Sequence, residues 1–164
     1  MVFIAIFIII AIFYFVAYAL RLKTNVKEEV DAHYETKEHE LHKRILQEKV
    51  SFYRALNEAE RVIFHQEIEE FLEKVKIHGV DTEVTEEDKV LVAASAVIPL
   101  FAFHDWFYPN LGAVDLFSDA FNFDFETSGA NRRILGMVGG GVMNGKMALS
   151  KKALHLGFSN ETDK

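Results

Sequence analysis

The stretch from Val90 to Leu111, VLVAASAVIPLFAFHDWFYPNL, decides the fold because it can be read against two solvents. Fourteen residues from Val90 to Phe103 carry no charge and run into Trp106, Phe107, Tyr108 and Pro109, which suits either a membrane span with an aromatic belt or a buried core helix. Length separates the two readings. At a rise of about 1.5 Å per residue the run covers only ~21 Å, short of a ~30 Å hydrocarbon layer. Thr85, followed by Glu86, Glu87 and Asp88, offers a side-chain cap and places acids at the positive end of a helix, while Pro99 interrupts the hydrogen-bond ladder. We therefore expect a central buried helix. Val90, Ala94 and Val97 form one stripe with Leu91 and Ile98 beside it, Ala and Ser95 side chains let neighbours approach closely, and Trp106 to Leu111 wraps the helix end as an aromatic loop.

Towards the N-terminus, Asn57 is a helix cap and Glu60 completes a capping box. Phe64, Ile68, Phe71, Leu72 and Val75 then recur at helical spacing against a face of Gln66, Glu69, Glu70 and Glu73, and Gly79 is the expected stop. Towards the C-terminus come short apolar pieces punctuated by glycine: Ala113 to Phe117, Phe121 to Phe125, Ile134 to Val138 and Lys146 to Ser150. The alternation in Phe121 to Phe125, FNFDF, is strand-like. The glycine cluster Gly139 to Val142 lacks the spacing of a phosphate loop and reads as a turn between strands. Ser150 can cap a short helix through Leu156, with Gly157 ending it.

Residues Val2 to Leu20 form an unbroken apolar run of 19, long enough as a helix to cross a bilayer core. Arg21, Lys23 and Lys27 follow at once, so the positive-inside rule puts the rest of the chain in the cytoplasm. The competing reading is a cleaved signal, since Ala17-Tyr18-Ala19 has the small-x-small form of a cleavage site. The missing charged n-region and the length of the run favour an anchor. Lys23 to Lys49 is dense in charge of both signs and reads as a solvated helical connector. The expected division is a transmembrane anchor over 1–22, a charged helical connector over 23–50 and a folded domain over 51–164.

Composition excludes several classes. The net charge of −7, without a concentrated Lys/Arg surface, excludes nucleic acid as the main partner. No cysteine is present, which removes disulfides, thiol nucleophiles and Cys-based zinc sites, so any metal must use His and carboxylates. Within EHELHKR, Glu38 to Arg44, His39 and His42 fall three apart, one residue short of the four-residue spacing of a zinc-peptidase helix, and read as a wet linker surface. His33 and His65 read as surface histidines, His65 and Glu69 as an ordinary side-chain pair, and His104-Asp105 as a loop contact.

Several residues have a further significance: Glu60-Arg61 with Phe64, Ile68 and Phe71-Leu72; VTEEDKVLVAASAVIP from Val84 to Pro99; Asp105-Trp106 with Tyr108-Pro109-Asn110-Leu111; and Ile134-Leu135-Gly136, Leu149-Ser150 and Gly157-Phe158. In these the chain resembles the Mlc titration factor A family of zinc-dependent peptidases, over about Phe52 to Lys164. The resemblance implies a zincin-type metallopeptidase in which an HExxH helix supplies two His ligands and a general-base Glu, with a further Glu ligand downstream. No HExxH occurs in these 164 residues. In the family that helix begins a few residues after the segment matching Gly157 to Lys164, which implies an incomplete reading frame. The Phe-rich segment at Phe121, Phe123 and Phe125 is more apolar than the family pattern.

The fold class expected is thus α+β: an N-terminal transmembrane helix, a helical subdomain with a buried Ala-rich helix, then a small mixed sheet of a truncated zincin-like domain. The function implied is the N-terminal scaffold of a membrane-anchored zinc-dependent metallopeptidase at the inner membrane. Zinc is expected in the full-length protein and none in this chain alone, and neither catalytic nor metal-binding residues are assigned. Zincins hold a peptide substrate along an edge strand preceding the metal helix, and Lys146, Met147, Ala148 and Leu149 are the candidate strand. Asp105, Trp106, Tyr108, Pro109 and Asn110 are the structural signature. The alternative is a non-catalytic, membrane-tethered module that binds a regulatory partner such as a transcriptional repressor. A domain lacking its last helix is also expected to expose apolar surface.

Overall fold

The computed structural model describes residues 37–103, 108–129 and 131–160. The chain divides into two compact units, Met1–Leu41 and His42–Lys164. Of the first, the described residues 37–41 are helical. That helix, α1, covers 37–49 and brings the chain into the second unit. There follow α2 (Ser51–Ala55), α3 (Glu58–Lys74), β1 (Lys76–Val80), α4 (Glu86–Val97), β2 (Ala113–Phe117), β3 (Gly136–Val138), a 3-10 turn (Gly141–Met143), β4 (Lys146–Ser150) and α5 (Lys151–Asn160).

The stretch that opened the question is α4, and it is a core helix. Val90, Leu91, Val92, Ala93, Ala94 and Val97 are buried, so the helix is covered on nearly every side. Its start is fixed by a reciprocal cap: Thr85 Oγ1 accepts from the Asp88 amide at 3.2 Å, and an Asp88 carboxylate oxygen accepts from the Thr85 amide at 2.7 Å. It ends two residues before Pro99, as the missing proline N–H requires. Beyond it, the Tyr108 hydroxyl donates to the Ala96 carbonyl at 3.1 Å, and burial raises the Tyr108 hydroxyl above its ordinary pKa.

The expected capping box also starts α3, with Asn57 Oδ1 accepting from the Glu60 amide at 3.0 Å and Glu60 accepting from the Asn57 amide at 2.9 Å. Asn57→Ala is expected to lower stability by about 1 kcal/mol, measured by urea unfolding, because this exposed cap has no other partner to offset its loss. Phe64, Ile68 and Phe71 form the buried stripe of α3.

The sheet order is β1-β2-β4-β3. β1, β2 and β4 are parallel, and β3 closes one edge antiparallel to β4. In register, Val114 and Val138 flank Met147, which puts all three on one face with Leu116 and Leu149. Asp115 and Met137 flank Ala148 on the other face. That second face is covered by Phe117 and Phe121, with Val80, Phe125, Ile134 and Met137 packed around them.

Four expectations are corrected. The fold-class expectation that an α+β chain opens with a transmembrane helix is not carried: among the described residues no helix is long and apolar enough to cross a membrane, and the expected span over 1–22 lies outside them. Nor do helices precede the sheet as a block, because β1 enters between α3 and α4. Gly79 is not a helix stop but lies in β1, where a Cβ would come within 2.0 Å of the Thr82 carbonyl as the chain turns back. FNFDF is not a strand: only Phe121 pairs, with Ile134, and Asn122 Oδ1 accepts from the amides of Asp124 and Glu126 to form a tight turn. The rings of Phe117, Phe121 and Phe125 stack with centroids 4.6 to 6.0 Å apart, while Phe123 is left 81% exposed.

The connector, too, is less wet than its charge suggests. From His42 onward, His42, Ile45, Leu46 and Val50 are buried, so residues 42–50 are an amphipathic part of the core. The C-terminal helix begins as expected, with Ser150 Oγ accepting from the Ala153 amide at 3.2 Å. It runs past Gly157 to Asn160, because buried Phe158 holds the last turn against the domain.

Candidate functional site

A cavity of about 680 Å³ opens between the helices and the Val114 face of the sheet. Phe71 of α3, Val92, Ser95 and Ala96 of α4, and Leu154 of α5 form one wall; Val114, Met147, Leu149, Leu135 and Val138 form the other. Tyr108, Pro109, Asn110 and Leu111 close one end. The structure therefore brings together residues that the sequence reading placed in two separate groups: Tyr108, Pro109 and Asn110 of the signature, and Lys146, Met147 and Leu149 of the candidate strand. Ala148 points to the opposite face and packs with Phe117 and Phe121. Asp105 and Trp106 lie outside the described residues.

Lys146 to Leu149 does form a strand, but its place in the sheet differs from the one proposed for substrate. β4 lies between β2 and β3, so its backbone groups are engaged on both sides. β3 is the outer strand next to β4, with Leu135 just before it 56% exposed and Val138 at its end 76% exposed. A strand added at this end of the sheet would have to pair with β3, the edge beyond β4.

The lining is mostly apolar, and its polar side chains are those of Ser95, Tyr108, Asn110, Asn144, Lys146 and Ser150. It can bury an apolar surface and orient it by a few hydrogen bonds. Neither a His nor a carboxylate is among the described residues lining it, so it does not fit a hydrolytic metal, which needs about three such ligands.

Two polar clusters lie elsewhere in the same unit, and the sequence reading assigned neither. At the start of α4 and α5, fully buried Asp88 accepts from Lys151 Nζ at 2.7 Å, His155 Nε2 at 2.6 Å and Thr85 Oγ1 at 2.7 Å. Burial alone would raise the Asp88 carboxyl, but these donors and the Thr85 amide outweigh it and hold the group at about 2. Around it, Lys49 pairs with Glu87, joining α1 to α4, and Lys152 pairs with Asp119 in the loop after β2.

The second cluster joins α1, α3 and α4. His42 and His65, expected at the surface, are 1% and 3% exposed. Glu69 Oε1 lies 2.9 Å from His42 Nδ1 and 3.4 Å from His65 Nε2. The other His42 nitrogen, Nε2, faces Glu86 Oε2 at 3.3 Å, and Lys89 Nζ holds the second Glu86 oxygen at 2.5 Å. Burial opposes ionisation of Glu86, yet Lys89 and His42 bring its carboxyl below the ordinary range. The one signal for this cluster was the four-residue spacing of His65 and Glu69; burial of His42 depends on packing that no local pattern reports.

Fold and cavity together define an α+β domain whose parallel sheet carries an antiparallel edge strand beside an apolar cleft, the layout of a scaffold that can take an extended chain along its rim. A model of the glucose-regulated metallopeptidase M90 family matches residues 23–164, and the chain belongs to that family. The match begins well before Phe52, where the resemblance to the Mlc titration factor A peptidases was first placed, and takes in the buried helix around His42. No curated protein and no solved structure matches the chain.

Proposed function

We propose that this chain is the scaffold portion of a zinc-dependent peptidase, and that the helix bearing its metal ligands is encoded beyond Lys164 and seats against the cavity. The observation that supports the reading most is the cavity itself. In a metallopeptidase family, a cleft bordered by the edge strand and lined by Tyr108 to Leu111 is apolar enough to receive a helix, yet among the described residues its lining holds neither a His nor a carboxylate. The whole sequence, moreover, lacks an HExxH. The substrate would be a peptide held in extended form along the outer edge of β3, backbone to backbone, with selectivity from pockets beside Leu135 and Val138.

The test compares this chain with the product of the same reading frame carried downstream. The 164-residue chain is expected to leave short peptides intact and to bind an apolar fluorescent dye. The longer product is expected to contain HExxH, to hydrolyse those peptides in a chelator-sensitive way and to lose the dye signal. A continuation without a His-Glu pair, or an extended product inert towards peptides, overturns the proposal. The exposed cleft would then favour the second reading, a module that docks a regulatory protein partner.

A further inference from the structure

We propose that the peptide added along β3 places a bulky apolar side chain, of the Leu or Phe kind, opposite Gly136, where it rests on Leu149 at the rim of the cleft; this rests on the reading of β3 as the substrate edge. The backbone fixes where such a chain can pair. The Leu135 carbonyl accepts from the Ser150 amide at 2.8 Å and the Gly139 amide donates to the Lys146 carbonyl at 2.9 Å, so Leu135 and Gly139 face β4. By the alternation of an antiparallel ladder Met137 faces β4 as well, and the backbone groups of Gly136 and Val138 point outward. Phe121 already pairs with Ile134, so the open part of the edge begins at Gly136, and Gly136 and Val138 are both exposed.

This edge lacks the features that usually blunt one. From Ile134 to Asn144 there is neither a charged residue nor a proline, and Leu135 and Val138 are apolar and exposed. Residues directly opposite on neighbouring strands put their side chains on the same face. Gly136 pairs with Leu149, and a Cβ added to Gly136 would meet Leu149 Cδ2 at 3.1 Å, so its missing side chain belongs to the cavity face. An incoming side chain opposite Gly136 therefore finds no β3 side chain in its way and Leu149 beneath it, with Leu135, Val138 and Leu154 lining the same cavity. Such a gap selects by size, because a small side chain leaves it unfilled and buries less apolar surface. Family membership supplies the occupant, since the substrate of a metallopeptidase is a peptide chain.

The test titrates two end-blocked pentapeptides into the isotope-labelled full chain, acetyl-Thr-Val-Phe-Val-Thr-amide and the same peptide with Ala for Phe, and follows the amide signals by NMR. We expect the Phe peptide to shift the Gly136 and Val138 signals and to bind at least about tenfold more tightly than the Ala peptide. Gly136→Ala, whose methyl enters the gap against the flexible end of Leu149, narrows that difference while far-UV circular dichroism stays native, and Gly136→Val abolishes it. Binding of neither peptide, equal binding of both, shifts that spare Gly136 and Val138, or an undiminished preference in folded Gly136→Ala overturns the proposal. Binding is read here without a metal, so these outcomes are distinct from failure of the peptidase reading, which hydrolysis by the longer product decides.

Discussion

Phe64→Ala lowers the stability of the domain by about 3–5 kcal/mol, measured as a fall in the urea midpoint without loss of slope. Phe64 is fully buried, and its ring sits where three elements meet. Centroids of Phe52, Tyr53 and Phe101 lie 5.6, 5.9 and 5.4 Å away, two from α2 and one from the turn that follows α4. Truncation removes the burial of a large ring and its contacts to three others, two tilted and one edge-on, and helices anchored at both ends cannot collapse into the space. A loss under about 1 kcal/mol would mean that this aromatic cluster is not the joint between α2, α3 and α4.

Asp88→Ala is the second large effect, a loss of about 3 kcal/mol. It removes the reciprocal cap of α4 and leaves Lys151 and His155 facing a buried void. Asp88→Asn keeps the volume and costs less, which separates charge from shape. The same contacts predict a pH dependence with a definite sign. The Asp88 carboxyl is depressed from 3.8 to about 2 in the folded state, so its contribution is complete above the unfolded value and is lost as pH falls through about 2. That contribution is about 2 kcal/mol. Wild type should therefore lose stability relative to Asp88→Asn between about pH 4 and pH 2, measured by thermal melts across that range. A constant difference across it would show that Asp88 holds the helices by packing alone.

Local chemistry made part of this architecture legible. Asn57 and Thr85 announce their helices because a cap is a short-range bond between residues three apart, and both caps form as read. α4 could be assigned from its length and its acidic start, and β2 and β4 from apolar runs bounded by glycine. β1 was hidden because KIHGV is short and polar, and its pairing with β2 lies across α4. For His42 and His65, charge around them in sequence pointed to water, whereas both are buried in the folded domain and His42 meets Glu69 and Glu86 from α3 and α4. Gly157 stays helical because a tertiary contact by its neighbour Phe158 outweighs about 1 kcal/mol of local preference. For the cleft, its residues could be named but not its walls, since whether β4 lay inside or at the rim depends on strand order.

The sheet's connectivity has a kinetic consequence. Each parallel pair, β1 with β2 and β2 with β4, joins strands separated by a long excursion of chain, and only β3 with β4 can close as a near neighbour. The β3–β4 hairpin alone does not bring β1 and β2 together, so the rate-limiting encounter must await a docked α4 that carries those two strands into reach. Substitutions along α4 should then slow refolding, whereas those in β3 should mainly hasten unfolding.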